Sequence, residues 1–475
     1  MMDNGLVSIA IPLIVIVIAI FTKRIIFSLI IGILSGGILL ARGNVIEGVV
    51  AASEHIISSA ANEQSIYIIF FLFLFGAFAE IMKVSGGIKG FTQITGKIVK
   101  SERGALGAIW AVTPVTFIDC CFHDIAAGTV GKALIEKTNG NKRRFAFVLN
   151  VTSCLLIVLI PFGTTYVGYI IGVIASAFGN AGLNQSAYQA YLTSIPYNFY
   201  PIVMLLICIG VTVFNFGFKK EYKTKKEDTD FDREHGHDEA NEQCSFGETV
   251  PPRPFNLILP LGFLILSTFF FLWLTGNGQG TGFWQAIINA DFEKAIFISA
   301  VSTIVLTSLY YLIQKVPLRE IETHFLSGGN EMIPPIVVLI LSWGLSSIIG
   351  DLGFAKFVSN VVASNIPAFL IPAILYLIAC FASYFMGTAW GTWALIMPIA
   401  VPLAMTANAN LALVIGAVLA GGSLGDNASP LGETAILSST IAEVPLMEHV
   451  KSQLPYSLVG VGVATVLFII FGSIH

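Results

Sequence analysis

Charge is scarce in this chain. Asp, Glu, Lys and Arg make up 11% of its 475 residues, against about 25% in soluble domains. With 55% hydrophobic residues and a mean hydropathy of +0.81, it lacks the polar coat of a water-soluble protein. Familiar catalytic devices are missing too. There is no His-Glu-x-x-His pair, no nucleophile elbow and no phosphate-binding loop, so metal-dependent hydrolysis, acyl transfer and nucleotide-driven work are left without their parts. Basic residues hug the ends of apolar runs with no interleaved aromatic pattern, which excludes a nucleic-acid partner. The six cysteines, Cys120, Cys121, Cys154, Cys208, Cys244 and Cys380, fall mainly in apolar stretches and read as small buried residues, not a disulfide framework. Cys120, Cys121 and His123 are metal-ligand types, but their spacing is too tight for a zinc loop, and no cofactor is expected.

What is present instead is a series of apolar runs. Segments near 6–22, 25–41, 67–82, 197–218, 255–275, 295–313, 332–350 and 455–473 are each roughly long enough to cross about 30 Å of hydrocarbon. Residues 6–22 are followed by Lys23-Arg24 where a cleavable signal would place small residues, so this run is expected to stay as a span. Two longer regions, 104–175 and 366–441, are apolar but broken repeatedly by Gly, Pro and polar residues. Each is expected to hold a re-entrant hairpin, at about 104–137 and 366–405, followed by a broken helix, at about 145–175 and 411–441. The expected fold is an all-α membrane protein of about ten transmembrane helices plus two re-entrant hairpins, with helices broken at the midplane.

The basic residues orient the chain. Lys23-Arg24, Lys83 to Arg103, Lys137 to Arg144, Lys219 to Arg253, Lys315 to Arg319 and Lys451 can share one face, leaving Arg42, Lys294 and Lys356 for the other. Loops 176–196 and 276–291 carry no Lys or Arg. The positive-inside rule makes the Lys-rich face cytoplasmic and puts both termini outside an inner (plasma) membrane. Residues 219–254 are too polar to bury a core and form a charged cytoplasmic linker. The linker divides the chain into membrane repeats at 1–218 and 255–475.

The most telling stretch is Gly425-Asp426-Asn427-Ala428-Ser429-Pro430-Leu431-Gly432-Glu433-Thr434, inside the apolar run from Leu411 to Ile441. An intramembrane acid costs at least about 2.5–3.5 kcal/mol at a helix centre, so Asp426 and Glu433 need a partner or a purpose. Three further polar clusters are expected to converge with them. The first hairpin carries Thr113, Thr116, Asp119, Cys120, His123, Asp124 and Thr129. Its broken helix carries Asn150, Thr152, Ser153 and then Gly163-Thr164-Thr165. The second hairpin carries Gly387-Thr388-Ala389-Trp390-Gly391-Thr392.

Gly and Pro at such places free backbone carbonyls, which coordinate Na+, and half-helix amino ends, which favour anions. Thr388, Asp426, Ser429 and Glu433 are the candidate Na+ ligands, with Asn427 and Thr434 beside them; Asp426, Glu433 or Asp119 can exchange a proton. Asp426 and Glu433 are seven residues apart, two turns, and share a face if the helix is continuous through Pro430. Plainer roles compete: Asp426 capping a half-helix, Glu433 partnering a buried polar group, Asp119 and Asp124 solvated at a hairpin, His123 hydrogen-bonded in packing, Trp390 and Trp393 filling space.

The halves resemble each other. Pro161-Phe162-Gly163-Thr164-Thr165 matches Pro430-Leu431-Gly432-Glu433-Thr434, and Phe117-Ile118-Asp119 opens a polar patch as Phe385-Met386-Gly387 does. The chain advances 44 residues from Phe117 to Pro161 and 45 from Phe385 to Pro430. An odd number of spans per half turns the second repeat upside down, and inverted repeats hold their solute at the interface between them.

On Gly387 to Thr392, on Gly425 to Thr434, and on Phe117-Ile118-Asp119 with Ala127-Gly128-Thr129-Val130, the chain resembles the NhaC-type Na+/H+ antiporter family of the ion transporter superfamily. The resemblance spans most of both halves. It implies an inverted-repeat fold and Na+-linked secondary transport, with Asp119, Asp426, Ser429, Glu433 and Thr434 at the family's polar motif positions. Two positions depart from the family: Cys120 stands where a second acid often follows, and Asn150 where the broken helix often has an acid. Na+/H+ antiport by alternating access is the leading expectation; Na+-coupled movement of a small organic acid or amino acid is the alternative. Membrane lipid and a small solute are the expected partners, and the wider superfamily suggests a homodimer.

Overall fold

The computed structural model describes residues 4–215, 217–218, 252–277, 280, 282–353 and 367–474, and every element among them is helical. The linker residues 219–251, with Cys244, and the basic residue Lys356 lie outside the described residues. All eight runs picked out above form helices. The first part comprises α1 (Asn4–Thr22), α2 (Ile25–Leu40), α3 (Val45–Ala60), α4 (Glu63–Val84) and α5 (Gly87–Ile98). Helix α3 was not anticipated, because Glu47, Glu54, His55 and its serines mask its apolar positions. It folds back on α2 at 119°, its first turn capped by the Asn44 side chain, which accepts from the Ile46 and Glu47 amides.

The interrupted regions break where the sequence dictates. Helix α6 (Glu102–Val112) ends at Thr113-Pro114, and α7 (Cys120–Lys137) starts behind Asp119 as its N-cap. Helix α8 (Lys142–Asn150) runs into a π turn, Val151–Leu155; the chain then loosens until Thr164 caps α9 (Thr165–Ala181). After α10 (Ala187–Ser194) and α11 (Phe199–Phe214), the second part holds α12 (Phe255–Gly276), α13 (Phe283–Ile288), α14 (Phe292–Ile313), α15 (Leu318–Glu331) and α16 (Ile333–Asp351). There follow α17 (Ile371–Met386), α18 (Ala389–Thr406), α19 (Leu411–Ala428), α20 (Glu433–Ile441) and α21 (Leu446–Ile474). The order hairpin, then broken helix, thus occurs twice. The hairpins differ in their first arms, α6 having 11 residues, about 17 Å, and α17 having 16, about 24 Å, while α7 and α18 both have 18, about 27 Å.

Among the described residues eight helical stretches are long and apolar enough to span a membrane, or up to ten if each bent pair counts once. The chain is a multi-pass membrane protein. Its outer helices turn side chains such as Phe21, Leu266, Ile313 and Leu458 outward, as lipid contact requires. The polar, broken run sits innermost: its apolar window is 89% buried, against 22% for that of α21. Two apolar cores flank it. One gathers residues of α1, α2, α4, α9, α12, α14, α16 and α18; the other gathers residues of α6, α8, α11, α19 and α21. Helices α7, α17 and α19 contribute to both, so the chain breaks fall where the cores meet.

Two groups of charges pair between these helices. Arg144 is buried and donates to Glu102 (2.6 Å), to the Asn215 side chain (2.5 Å) and to the carbonyls of Asn215 and Gly217 (3.0 Å each), tying α6, α8 and the end of α11 together. Nearby, Lys132 (2.8 Å) and Lys142 both pair with Glu443 in the turn before α21 and hold its carboxyl below the usual glutamate range. That contribution is present at neutral pH and is lost as pH falls through the lowered value. Arg144→Met leaves Glu102 without its cation and is expected to destabilise the protein by about 3–5 kcal/mol. Lys142→Met, whose partner is half exposed, is expected to cost under about 1 kcal/mol. Thermal unfolding of the two variants in detergent checks the contrast.

Candidate functional site

Pro430 disfavours helical backbone at Ser429, so α19 stops at Ala428 and leaves Asp426 in its last turn. A carboxylate there opposes its own helix dipole, and the side chain serves another helix instead. Asp426 Oδ1 accepts the Ala389 N–H at 3.0 Å, at the start of α18, and Oδ2 accepts the Tyr166 hydroxyl at 2.9 Å from the first turn of α9. Asp426 thus caps a half-helix, as one of the plainer roles supposed, but across the break, where the positive end of α18 favours an anion. Trp390 and Trp393 wall this contact, their rings 4.9 and 5.2 Å from that of Tyr166. Close approach of the hairpin tip requires Gly387: its φ is +69°, and a Cβ there would lie 2.4 Å from Leu431 Cβ and 2.7 Å from the Leu431 carbonyl.

The carbonyls released at the end of α19 are mostly taken up by the protein. Gly425 O accepts the Ser429 N–H (3.2 Å), and Asp426 O accepts the Thr434 hydroxyl (2.8 Å). Asn427 O accepts the side-chain amides of Asn150 (2.9 Å) and Gln453 (2.5 Å). Asn427 Oδ1 takes the Tyr200 hydroxyl at 2.8 Å, while its Nδ2 is buried without a partner. Ser429 Oγ accepts the Leu431 N–H at 3.1 Å. Asn150 is the hub: its Oδ1 lies 3.2 Å from the Thr434 hydroxyl and its Nδ2 3.2 Å from His449 Nε2.

The first hairpin meets this break from the other side. Asp119 accepts the Phe122 N–H (3.0 Å) as N-cap of α7 and the Thr165 hydroxyl (3.1 Å) from α9. The Cys121 thiol donates to Glu433 at 3.1 Å; Glu433 itself is exposed at the head of α20. Residues 429–432 leave the helical path, so the seven-residue spacing does not align the acids: Asp426 turns to α18 and Glu433 to α7. His123 is buried between the Thr116 (2.7 Å) and Thr152 (3.0 Å) hydroxyls, a satisfied packing histidine. Asp119 and Asp124 are both buried, which removes the solvated role. Thr164 accepts the Val167 N–H, with Gly163 before it at φ +63°. Gly391 packs on Ile25, and Thr392 bonds to the Thr388 carbonyl (2.8 Å); neither has a bond to Asp426 or Glu433. Thr388 caps α18, accepting the Gly391 N–H. The ligand atoms of Asp119, Cys120 and Cys121 lie within 4.8 Å of one another, although both Asp119 oxygens are already bonded. His123 is turned away from that group.

Comparison with known proteins decides the family. The profile of the Na+/H+ antiporter family matches residues 156–473. The chain belongs to the Na+/H+ antiporter family. An uncharacterized protein of Haemophilus influenzae is 27% identical over 98% of this chain and 90% of its own length. The Na(+)/H(+) antiporter NhaC of Bacillus subtilis is 27% identical over 33% of this chain and 35% of its own length. The malate-2H(+)/Na(+)-lactate antiporter of the same organism is 28% identical over 32% of each. The chain therefore matches about a third of these two named relatives. Among solved structures, MtrF of Neisseria gonorrhoeae, described as illuminating a class of antimetabolite efflux pumps, shares the fold with a TM-score of 0.57 at 14% identity, over 91% of this chain and 85% of that one.

The chain is a secondary transporter of the NhaC type, and around its buried polar groups lie residues that sequence reasoning missed. Tyr166 and the Ala389 amide hold Asp426, Tyr200 and Gln453 bond to Asn427, and His449 bonds to Asn150. Tyr166 left a signal, a polar-tipped aromatic directly after Thr164-Thr165; the Ala389 amide has no side chain to read. The letters Gly-x-Ser-x-Gly do occur at 421–425, but within α19, where Ser423 bonds to the Leu419 carbonyl (2.9 Å). A nucleophile elbow needs a strand-to-helix turn. The five described cysteines are free, and all but the half-buried Cys121 are buried. A cavity of about 290 Å³, lined by Ser59, Ser65, Ser176, Asn180 and Trp343, opens along the far half of α9.

Proposed function

We propose that the protein exchanges Na+ for H+ by alternating access, with the cargo ion held beside Asp426 where the α19–α20 break meets the tip of the second hairpin. The observation that carries this reading is the buried Asp426 carboxylate, bonded at once to the amino end of α18 and to Tyr166 of α9. Thr388, Ser429 and Glu433 are the further candidate ligands, from side chains around the same junction. Two halves of opposite orientation, flanking the linker at 219–254, would exchange access by rocking against each other. The cavity along α9 supports a vestibule on one side of that barrier. The reading includes a transporter and not an enzyme, an inner-membrane setting with a cytoplasmic linker, external termini, and a homodimer.

Proteoliposomes loaded with a pH dye test it. An inward Na+ gradient is expected to drive proton exit together with 22Na+ entry. Na+ entry that depends on an added solute and moves no protons overturns it. A second reading, exchange of a small organic acid, is favoured by the malate-2H(+)/Na(+)-lactate relative and by the neutral cluster Asn150, Thr152 and Ser153. Adding malate, lactate or amino acids to the same assay separates the two.

Cys121 offers an independent readout, because its thiol lies on Glu433. In a Cys244→Ser background, Na+ at ten times its dissociation constant is expected to slow thiol labelling of Cys121 roughly tenfold, since only the ion-free form reacts. Labelling measured by mass spectrometry with choline in place of Na+ sets the baseline; an equal rate in both salts removes Glu433 from the site.

A further inference from the structure

Asp124 lies one turn into α7 and is fully buried, yet neither carboxyl oxygen accepts a hydrogen bond. Among the described residues it makes no ion pair. An ionised carboxyl in such a place keeps no compensation for the water it has lost. The side chain facing it is Ser153, within the π turn Val151–Leu155, a distortion that recurs at functional sites. Ser153 has one hydroxyl hydrogen, and it is directed to the Asn150 carbonyl at 2.9 Å. What Ser153 presents to Asp124 is therefore a lone pair. A carboxylate facing a lone pair is repelled; a carboxylic acid can donate to it. The neighbouring titratable groups are Asp119, Cys120, Cys121 and His123 on the same helix, Glu433 from α20 and Cys154 from the π turn. The two charged ones are acids, and His123 is occupied by Thr116 and Thr152. Among the described residues of α4, α5, α6 and α8, which also pack on α7, no basic side chain pairs with Asp124; Lys83 of α4 pairs with Glu80 and Glu331 instead.

We propose that Asp124 is the proton carrier of the exchange, held here as the neutral acid beside Ser153, while Asp426 serves the Na+ ion. This rests on the Na+/H+ reading and adds to it which acid carries the proton. When α7 and the broken helix part in the alternate conformation, the Asp124 O–H bond breaks and the proton passes to water on the open side. The carboxylate left behind is balanced by the Na+ arriving at the same junction. The two positions share Asn150: Ser153 bonds to its carbonyl, and the Thr434 hydroxyl lies 3.2 Å from its side-chain oxygen and 2.8 Å from Asp426 O.

Asp124→Asn keeps the shape and cannot release a proton. In proteoliposomes this variant is expected to lose Na+-driven proton movement, while 22Na+/Na+ exchange continues and no longer varies with pH. Proton movement at the wild-type level overturns the assignment, and so does loss of both activities in a variant that unfolds at the wild-type temperature, since Asp124 would then be a Na+ ligand. A wild-type protein that moves Na+ without protons sinks the Na+/H+ reading itself, a separate outcome. Dicyclohexylcarbodiimide, which reacts with buried carboxylic acids, gives a second measurement on the wild type alone. Mass spectrometry should place the adduct at Asp124, with labelling that falls as pH rises; an unmodified Asp124 at low pH overturns the proposal.

Discussion

Asp426→Asn is expected to abolish gradient-driven exchange while the protein remains inserted and folded. Asparagine fills the same volume. Its carbonyl oxygen can still accept the Ala389 N–H, now bonded at 3.0 Å, and its amide can donate to the Tyr166 oxygen, now 2.9 Å away. The amino end of α18 therefore keeps its cap. What disappears is the negative charge. At an effective dielectric near 20, a unit charge about 4 Å from Na+ contributes roughly 4 kcal/mol, which corresponds to about a thousandfold in affinity. Equilibrium 22Na+ binding in detergent should fall by that order, with thermal unfolding shifted by no more than a few degrees. Tyr166→Phe removes one hydrogen bond to a charged group, about 1.5–3 kcal/mol, and should weaken binding by roughly ten- to a hundredfold. If Asp426→Asn binds and transports Na+ like the wild type, the ion does not sit beside this carboxylate.

Much of the architecture was legible because lipid demands it. The run 295–313 holds no Gly or Pro, and it became part of one helix. The breaks were legible because Gly163, Gly387 and Pro430 stand beside polar residues inside apolar runs, where helical backbone is least favoured. Helix α3 was hidden because it is amphipathic, and its partner is α2, not lipid alone. The site was legible as a set of acids and hydroxyls but not as a set of contacts. Asp426 and Tyr166 are 260 positions apart, and no local period relates them. The seven-residue spacing of Asp426 and Glu433 misled, because four non-helical residues redirect the chain between them. His449 and Gln453 escaped notice for another reason: they occupy the first turns of α21, upstream of the apolar run at 455, yet they reach inward to Asn150 and Asn427. A span is read from its apolar stretch, and the turns before it pass for loop.

Gly387→Ala should be as damaging as removing the carboxylate, although it changes no polar group. The residue ends α17 in the left-handed region at φ +69°, where a side chain costs roughly 1–2 kcal/mol. Its added methyl also meets the Leu431 carbonyl at 2.7 Å, well inside the roughly 3.5–4.0 Å of ordinary contact between non-bonded carbon atoms. The obstacle is main chain and cannot rotate away, so the hairpin tip must withdraw from the break by about 1 Å. Ala389 follows two residues later, and the same withdrawal stretches its bond to Asp426. Displacements of that size in a functional constellation cost on the order of a hundredfold. Transport is expected to drop by at least that factor, with unfolding destabilised by about 1–3 kcal/mol. Gly107→Ala is the control: nothing lies within 4 Å of its added methyl inside α6, and the change should stabilise by about 0.4–1 kcal/mol with transport unaltered. Wild-type exchange by Gly387→Ala would mean that the contact between hairpin tip and break does not hold the site together, and that α18 finds its place on Asp426 without it.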